Sequence, residues 1–313
     1  MITIEDNRTL KEFTKCSFSG FKKVDVLKEL IKAMDNKNVE PVLYWTGELL
    51  CAGHILELWN AFIIFACVHI NVCNPKIPIY IMTRYEEFKK RIIHYTDNEL
   101  EVRNDAQVRI LFAEMAFLLM HSNKTHPIVP IKINVEELNL TTISHKLLAP
   151  DTSYIKNYDK ADPVTLCIPI NELKYHLSVT KSMHNITYWI EWIITYDDMC
   201  TKHKDKLQCK TRFEDYIKEN NRHECIWLIW ELMKDASSTL SPLHQEIMFS
   251  LFQLFCIRYT KGQRRKRIPI LYMAVMIICM DIDPKIKLFK KTMKLESIVE
   301  KIYKQINNNR IIQ

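Results

Sequence analysis

The chain has 313 residues, 48% of them apolar, so it can bury a substantial core and is not globally disordered. It contains four glycines, at 20, 47, 53 and 262. Because Rossmann and P-loop sites need clustered glycines to bring backbone N–H groups close to phosphates, this scatter argues against both nucleotide-binding classes. The net charge is +7, yet residues 255–313 carry 14 Lys and Arg against 4 Asp and Glu, so the rest of the chain is slightly acidic.

The N-terminus lacks a basic start followed by an apolar run, so we expect no secretion. Two apolar stretches, residues 54–70 and 268–280, resemble membrane spans. The first is interrupted by polar residues, and the second has about 13 apolar residues where a span needs roughly 20. We therefore expect two buried helices and no membrane span. The ten scattered cysteines indicate reduced thiols in an intracellular compartment.

Apolar residues recur at helical spacing through the first 121 residues, which predicts helices over residues 24–36, 41–52, 54–71, 78–95 and 104–121. Asn104 or Asp105 is the expected cap of the last of these. Helical spacing resumes later, over residues 183–203, 211–219, 222–235, 241–258, 268–280 and 295–306. Helices of this length joined by short turns predict an all-α fold.

Residues 123–182 differ in texture, because they hold five of the eleven prolines and show weak periodicity. Two short β-branched segments, 128–134 and 164–170, are candidate strands, although Pro130 and Pro169 limit them to edge strands or extended loops. The predicted organisation is an N-terminal helical lobe, residues 1–122, an irregular Pro-rich connecting segment, residues 123–182, and a C-terminal helical lobe with a basic surface, residues 183–313.

Four of the six tryptophans occur in two similar segments, 187-TYWIEWIITYDDMC-200 and 223-HECIWLIWELMKD-235. On a helix, Trp189 and Trp192 of the first segment lie on one face. Ile229 and Trp230 of the second segment lie on one face of their own helix, together with aliphatic neighbours. Both patterns have the spacing of a core-facing stripe. Core packing is therefore the favoured interpretation, and a base-stacking platform or a peptide groove is the alternative. The nearby acids are expected on solvated faces: Glu191, Glu224 and Glu231.

A set of Cys and His residues offers zinc-type ligands: Cys200, His203, Cys209, His223 and Cys225. Their spacing matches no regular zinc finger or ribbon. The sequence leaves zinc binding undecided, and no metal or cofactor is predicted.

The run 258-RYTKGQRRKR-267 places six cations within ten residues, between two apolar helices. Such clusters bind phosphate backbones, and nuclear-localisation patches and sites for acidic proteins have the same composition. The alternative is a solvated loop between helices. The predicted nucleic-acid-binding residues are the six cations themselves: Arg258, Lys261, Arg264, Arg265, Lys266 and Arg267.

Four segments carry a resemblance: 40-EPVLYWTGELLCAGHILELWN-60, 74-NPKIPIY-80, 184-HNITYWIEWI-193 and 226-IWLIWELM-233. They resemble a group of uncharacterised proteins of large nucleocytoplasmic DNA viruses, of the mimivirus and algal-virus kind. The resemblance supplies no catalytic residues. It implies a protein of infected cells, located in the host cytoplasm, at viral factories, or in the virion, that takes part in genome expression, genome replication or virion assembly.

These features lead to three hypotheses for function. The first is a non-enzymatic viral helical factor that binds nucleic acid, or a nucleic-acid-associated complex, through the basic C-terminal surface; a helical collar of a clamp-loader-like assembly is a variant of it. The second is a virion structural or assembly protein acting by protein–protein contacts. The third is an enzyme of unrecognised class. The expected partners are nucleic acid or an acidic protein surface, within a viral protein complex.

Overall fold

A computed structural model describes residues 2–95, 99–126, 129–155, 158–288 and 294–309. The described part is mainly helical and contains eleven α-helices and no β-strand, which confirms the predicted all-α class. In chain order the helices are α1 Lys23–Asp35, α2 Val39–Cys51, α3 Ile55–Phe65, α4 Ile77–Ile92, α5 Ala106–His121, α6 Cys167–Tyr175, α7 Met183–Lys202, α8 Cys225–Ser237, α9 Pro242–Cys256, α10 Arg264–Cys279 and α11 Glu296–Asn309.

The chain divides into two compact units. Unit 1 comprises Met1–His126 and Lys285–Gln313, and unit 2 comprises Pro127–Pro284. This division differs from the lobes predicted from sequence at two places. The last part of the chain, with α11, joins unit 1 instead of the C-terminal lobe, and the Pro-rich segment belongs almost wholly to unit 2.

Unit 1 is organised around α2, which packs against α1, α3, α5 and α11. Gly47 lies in the middle of α2 because α11 approaches closely there: a Cβ atom at this position would lie 2.5 Å from Cδ1 of Ile306. Gly53 ends the helix with a positive φ of 74°, a conformation that glycine adopts without steric cost. The predicted cap of α5 is confirmed at Asp105, whose carboxylate accepts hydrogen bonds from the backbone N–H groups of Gln107 and Val108.

The carboxylate of Glu48 is buried within unit 1, and both of its oxygens accept hydrogen bonds there. It accepts hydrogen bonds of 2.6 Å from each of the Ser17 and Ser19 hydroxyls, and one of 2.9 Å from the Ser19 backbone N–H. Buried charged groups are tolerated when they are hydrogen-bonded in this way. Glu48 therefore fastens the N-terminal segment onto α2 and is not a free acid.

The apolar stretch predicted as one helix over 54–71 is α3 continued by a π-helical turn, Ala66–Ile70. The helical segment Ile55–Cys73 has 19 residues and a mean hydropathy of 1.7, so by length and composition it could cross a membrane. However, 56% of its most apolar window is buried inside the structure. Core helices pass the same test, and the expectation that the chain has no membrane span stays a prediction.

The Pro-rich segment is irregular, as predicted, and neither of the two segments left open as an edge strand or an extended loop forms a strand in the described residues. Residue 128 lies outside the described residues, and residues 129–134 form no strand. The second candidate is a short 3₁₀ turn followed by α6. Pro169 stands in the first turn of α6, where its missing N–H group costs nothing. Glu172 on this helix accepts hydrogen bonds from the backbone N–H groups of Leu148 and Ala149, at 2.9 and 3.0 Å, and so anchors the irregular segment to α6.

Unit 2 is a bundle in which α7, α8, α9 and α10 pack around one core. The helix predicted over 211–219 is absent, since these residues form turns. The four tryptophans of the two similar segments are fully buried, which confirms core packing: Trp189, Trp192, Trp227 and Trp230. The indole N–H groups of Trp192 and Trp227 donate to the backbone carbonyls of Glu137 and Asn221, at 2.7 and 2.6 Å.

Candidate functional site

The basic run spans the connection from α9 to α10 and the first turn of α10. The helix begins at Arg264, four residues before its predicted start at Ile268. Its first turn thus carries four consecutive cations, Arg264 to Arg267, although a helix N-terminus disfavours positive charge. Opposing acids must offset this cost, and α7 supplies most of them.

Arg264 is an interior residue with 1% of its surface exposed. Its guanidinium donates to the carboxylates of Asp197 and Asp198, and Nη1 lies 3.5 Å from Oε2 of Glu224. Burial acts to lower the pKa of Arg264, but the negative groups around it raise that pKa more, so the side chain stays charged. A cation enclosed in this way joins α7, α8 and α10 and is not presented to a phosphate group.

Arg265, in the first turn of α10, and Lys261, just before that helix, also contact α7. Arg265 donates from Nη1 to Glu191 at 2.9 Å and from Nε to Asp198 at 2.8 Å, and its side chain remains 44% exposed. Lys261 donates to the Thr201 hydroxyl at 2.9 Å and lies 3.3 Å from Oδ2 of Asp197. Both cations are accessible to solvent, but the acids beside them offset their charge.

Arg267 is buried, with 2% of its surface exposed. Its guanidinium donates to the backbone carbonyls of Phe255 and Ile257 and, at 2.8 Å, to the side-chain oxygen of Gln263. These carbonyls lie at the C-terminal end of α9, where the last residues of a helix lack internal partners. Arg267 therefore ties the end of α9 to the start of α10.

Arg258 and Lys266 are the two predicted residues that remain, and both are exposed. Gly262, between them, faces open space, with no atom within 4 Å of the position of a Cβ. Fewer cations are therefore accessible on the predicted phosphate-binding surface than the sequence indicated. Of its six cations, two are interior, two are paired with acids, and the remaining two are exposed to solvent.

The acids near the tryptophan stripes were expected on solvated faces, and for two of the three this prediction is wrong. Glu191 and Glu224 are buried, and Glu231 is exposed. Glu191 accepts from the Tyr272 hydroxyl and from Arg265, whereas Glu224 accepts from the Tyr259 hydroxyl at 2.9 Å. Burial raises the pKa of Glu224 above its ordinary value, against the opposing effects of its hydrogen bond and of the nearby cations. The sequence pattern missed these two acids because their cationic partners are distant along the chain.

The Cys and His set does not assemble into a metal site. In the residues the structure describes, no three His, Cys, Asp or Glu side chains are grouped to hold an ion. Cys209 and His223 meet through backbone carbonyls, with Nδ1 of His223 2.9 Å from the carbonyl oxygen of Cys209. Burial raises the pKa of Cys209 to about 12 and that of Cys225 well above its usual range, so both thiols resist the deprotonation that zinc binding requires.

A cavity of about 280 Å³ opens in unit 2 between α8, α9 and residues 213–216. We call it the aromatic cavity. Its α9 wall repeats at helical spacing, with Gln245, Met248, Phe249 and Phe252 at i, i+3, i+4 and i+7. The Phe249 and Tyr216 rings at its mouth are 46% and 43% exposed.

Three polar or conformational features distinguish this cavity. Lys234 lies on its wall, 5.6 Å from the ring centroid of Phe213, and forms no ion pair within the described part of the chain. Trp230 also lines it, and the buried Nε1 of that residue has no hydrogen-bond partner among the described residues. Phe213 has a φ of +54°, a left-handed conformation that is rare for a bulky residue. The sequence signal that could have found the site is Phe249, an apolar residue on an otherwise accessible part of α9.

A second cavity of about 540 Å³ lies between α6, α8 and the irregular segment. Its walls carry ion pairs: Arg212 binds Asp162 at 2.5 Å and Glu231 at 2.6 Å, and Lys174 binds Asp235. These charges neutralise one another, so the cavity offers a ligand no unsatisfied charge among the pairs named.

No protein-family model, curated protein or solved structure matches this chain. Its function must therefore be inferred from its own residues and their contacts.

Proposed function

We propose that the protein is a non-enzymatic binding protein that acts by protein–protein contacts, with the aromatic cavity of unit 2 as its contact site. The observation that carries the proposal is the pair of exposed rings, Tyr216 and Phe249, at the mouth of a cavity with an aromatic wall. Exposed apolar surface beside a pocket is a feature of interaction sites, and aromatic residues supply much of the binding energy at interfaces.

The pairing of the basic run supports this choice over direct nucleic-acid binding. Phosphate contacts need accessible cations, whose number sets affinity and its salt dependence. Arg264 and Arg267 are enclosed, and Arg265 and Lys261 are held by acids of α7. The resemblance to proteins of large DNA viruses adds a context, which we include in the proposal: the partners are viral proteins of the virion or of a genome-associated complex in the host cytoplasm.

A photo-crosslinking experiment tests the cavity as the contact site. Tyr216 is replaced by p-benzoylphenylalanine, which keeps an aromatic ring at the mouth of the cavity, in cells that make the protein together with its natural partners. Phe21 of unit 1, which is also 46% exposed, is the matched control position. We expect a protein product of one discrete mass at position 216 and none at position 21. Identical products at both positions, or none at either, would contradict the proposal.

Nucleic-acid binding remains a second candidate, favoured by the exposed Lys266 beside the open Gly262. With so few accessible cations in the basic run, we expect weak binding with a shallow salt dependence. The test is the affinity of the purified protein for single-stranded and duplex DNA and RNA across a salt series, for the unmodified chain and for Lys266→Glu. Replacing the whole run with serine would not test the surface, because losing Arg264 and Arg267 removes interior contacts. Measurable binding that weakens with salt, and that Lys266→Glu reduces further, would favour this second function.

A further inference from the structure

We infer that the aromatic cavity receives one bulky apolar side chain of a partner protein, presented next to a carboxylate that pairs with Lys234. This inference rests on the proposed function and specifies the chemistry of the partner: a peptide segment in which Trp, Phe or Leu stands beside Asp or Glu. The volume of the cavity, the charge at its rim and the backbone strain in its wall point to the same occupant.

The volume of the aromatic cavity matches a single anchor residue. Pockets for drug-sized ligands and cofactors measure about 300–1,000 Å³, and this one measures about 280 Å³. Its walls include Met248, Phe249 and Phe252 of α9 and Phe213 opposite them. An apolar side chain that enters such a pocket loses contact with water on nearly all sides, which is the environment of an interface hot spot.

The charge at the rim is positive and uncompensated. Lys234 is exposed, and the two acids nearest to it along α8 have other partners: Glu231 binds Arg212, and Asp235 binds Lys174. The ammonium group of Lys234 lies over the Phe213 ring, with Nζ 5.6 Å from the ring centroid. A carboxylate on the partner, close to the anchor residue, would complete this pair, whereas a basic segment would be repelled.

The backbone at Phe213 is held in an unfavourable conformation. Its φ of +54° is costly for an aromatic residue, and such residues persist where the surrounding structure enforces them, often at binding sites. The strain places the Phe213 ring 4.6 Å from that of Phe252, as a fixed wall of the cavity. A wall that is already in place reduces the ordering cost when a partner binds.

Peptide selection tests the inference with a defined probe. Random twelve-residue peptides displayed on phage are selected on the purified full-length protein, and the enriched peptides are synthesised with a fluorophore. Their affinities are then measured by anisotropy for the unmodified chain and for three variants: Phe249→Ala, Lys234→Glu and Lys266→Glu. All three replaced residues are exposed, so the variants should fold. Lys266→Glu is the matched control, because it makes the same charge change on a different helix.

We expect enriched peptides to carry a bulky apolar residue beside an acid. Phe249→Ala and Lys234→Glu should each weaken binding about tenfold or more, and Lys266→Glu should leave it unchanged. Changing the acid of the peptide to Lys should restore binding to Lys234→Glu. Peptides that lack an acid, or bind equally to Lys234→Glu, would overturn the inference. Binding that both α8 and α9 variants leave unchanged would overturn it too, while a crosslinked protein at position 216 would still support the proposed function.

Selection of no peptide, together with self-association of the protein that Phe249→Ala abolishes, would also overturn the inference, since the occupant would then be a second copy of the chain. Failure of the proposed function has a separate signature, because position 216 would then give no crosslinked protein. The two experiments therefore fail independently.

Discussion

Replacing Arg264 with Met should destabilise unit 2 strongly, because Arg264 is a buried cation that three acids surround. The change removes the cation that Asp197 and Asp198 share, although Lys261 stays 3.3 Å from Asp197 and Arg265 still pairs with Asp198 at 2.7 Å. Breaking a buried ion pair by removing one partner costs about 3–5 kcal/mol. Because Lys261 remains and Asp198 is partly exposed, we expect the lower end, about 3 kcal/mol. A phosphate-binding arginine on the surface would cost less than about 0.5 kcal/mol.

The assay is urea unfolding of the purified protein, followed by tryptophan fluorescence and circular dichroism. Four of the six tryptophans lie in the core of unit 2, so the fluorescence reports mainly on that unit. With a slope of about 2–3 kcal/mol per M, the expected loss lowers the urea midpoint by about 1–1.5 M. Lys266→Met, two residues further along α10, is the control and should leave the midpoint unchanged.

A midpoint for Arg264→Met that equals the midpoint for Lys266→Met would refute the interior role of Arg264. The double variant with Asp197→Asn provides a second check. If the two residues interact directly, the effects of the two changes will not add, and the double variant will be more stable than their sum predicts.

Three further predictions concern glycine geometry, a helix cap and pH. Gly53→Ala should lower the stability of unit 1 by at least about 1–2 kcal/mol, because φ is +74° and the new Cβ would lie 2.7 Å from Leu10. Gly262→Ala is the control and should be neutral, because Gly262 faces open space. Thermal unfolding of the two variants measures the difference. Asp105→Ala should cost about 1–2 kcal/mol by removing the cap of α5, measured by urea unfolding, and an unchanged midpoint would exclude the cap. Burial lowers the pKa of His176 below 6.5 in the folded protein. As the pH falls, the unfolded chain therefore binds a proton at this residue before the folded protein does. The contribution of His176 to stability is full above about pH 6.5 and is lost as the pH falls below it. His176→Gln should therefore flatten the loss of stability as the pH falls below about 6.5, and an unaltered slope would contradict the assignment.

Helical periodicity predicted most of the fold, because the spacing of apolar residues within each amphipathic segment shows which face of the helix is buried. The tryptophan stripes and the Asp105 cap are confirmed for this reason, since both depend on residues within one helix. The errors fall where local pattern and tertiary contact compete. Residues 164–170 are rich in β-branched side chains like a strand, yet they form a 3₁₀ turn and the start of α6, whose inner side is buried.

The candidate site was less predictable, because its chemistry depends on partners far apart along the chain. Six cations in ten residues define a basic sequence, but whether each one faces solvent depends on acids some 65 to 75 residues earlier, as for Arg264 with Asp197 and Arg265 with Glu191. The aromatic cavity is formed where residues 213–216 meet α8 and α9, and no single helix contains it. The linear chain thus sets which segments are helical and which sides are apolar, since those follow from short-range periodicity. Only packing of the helices against one another decides which charges are cancelled and which apolar side chains stay exposed.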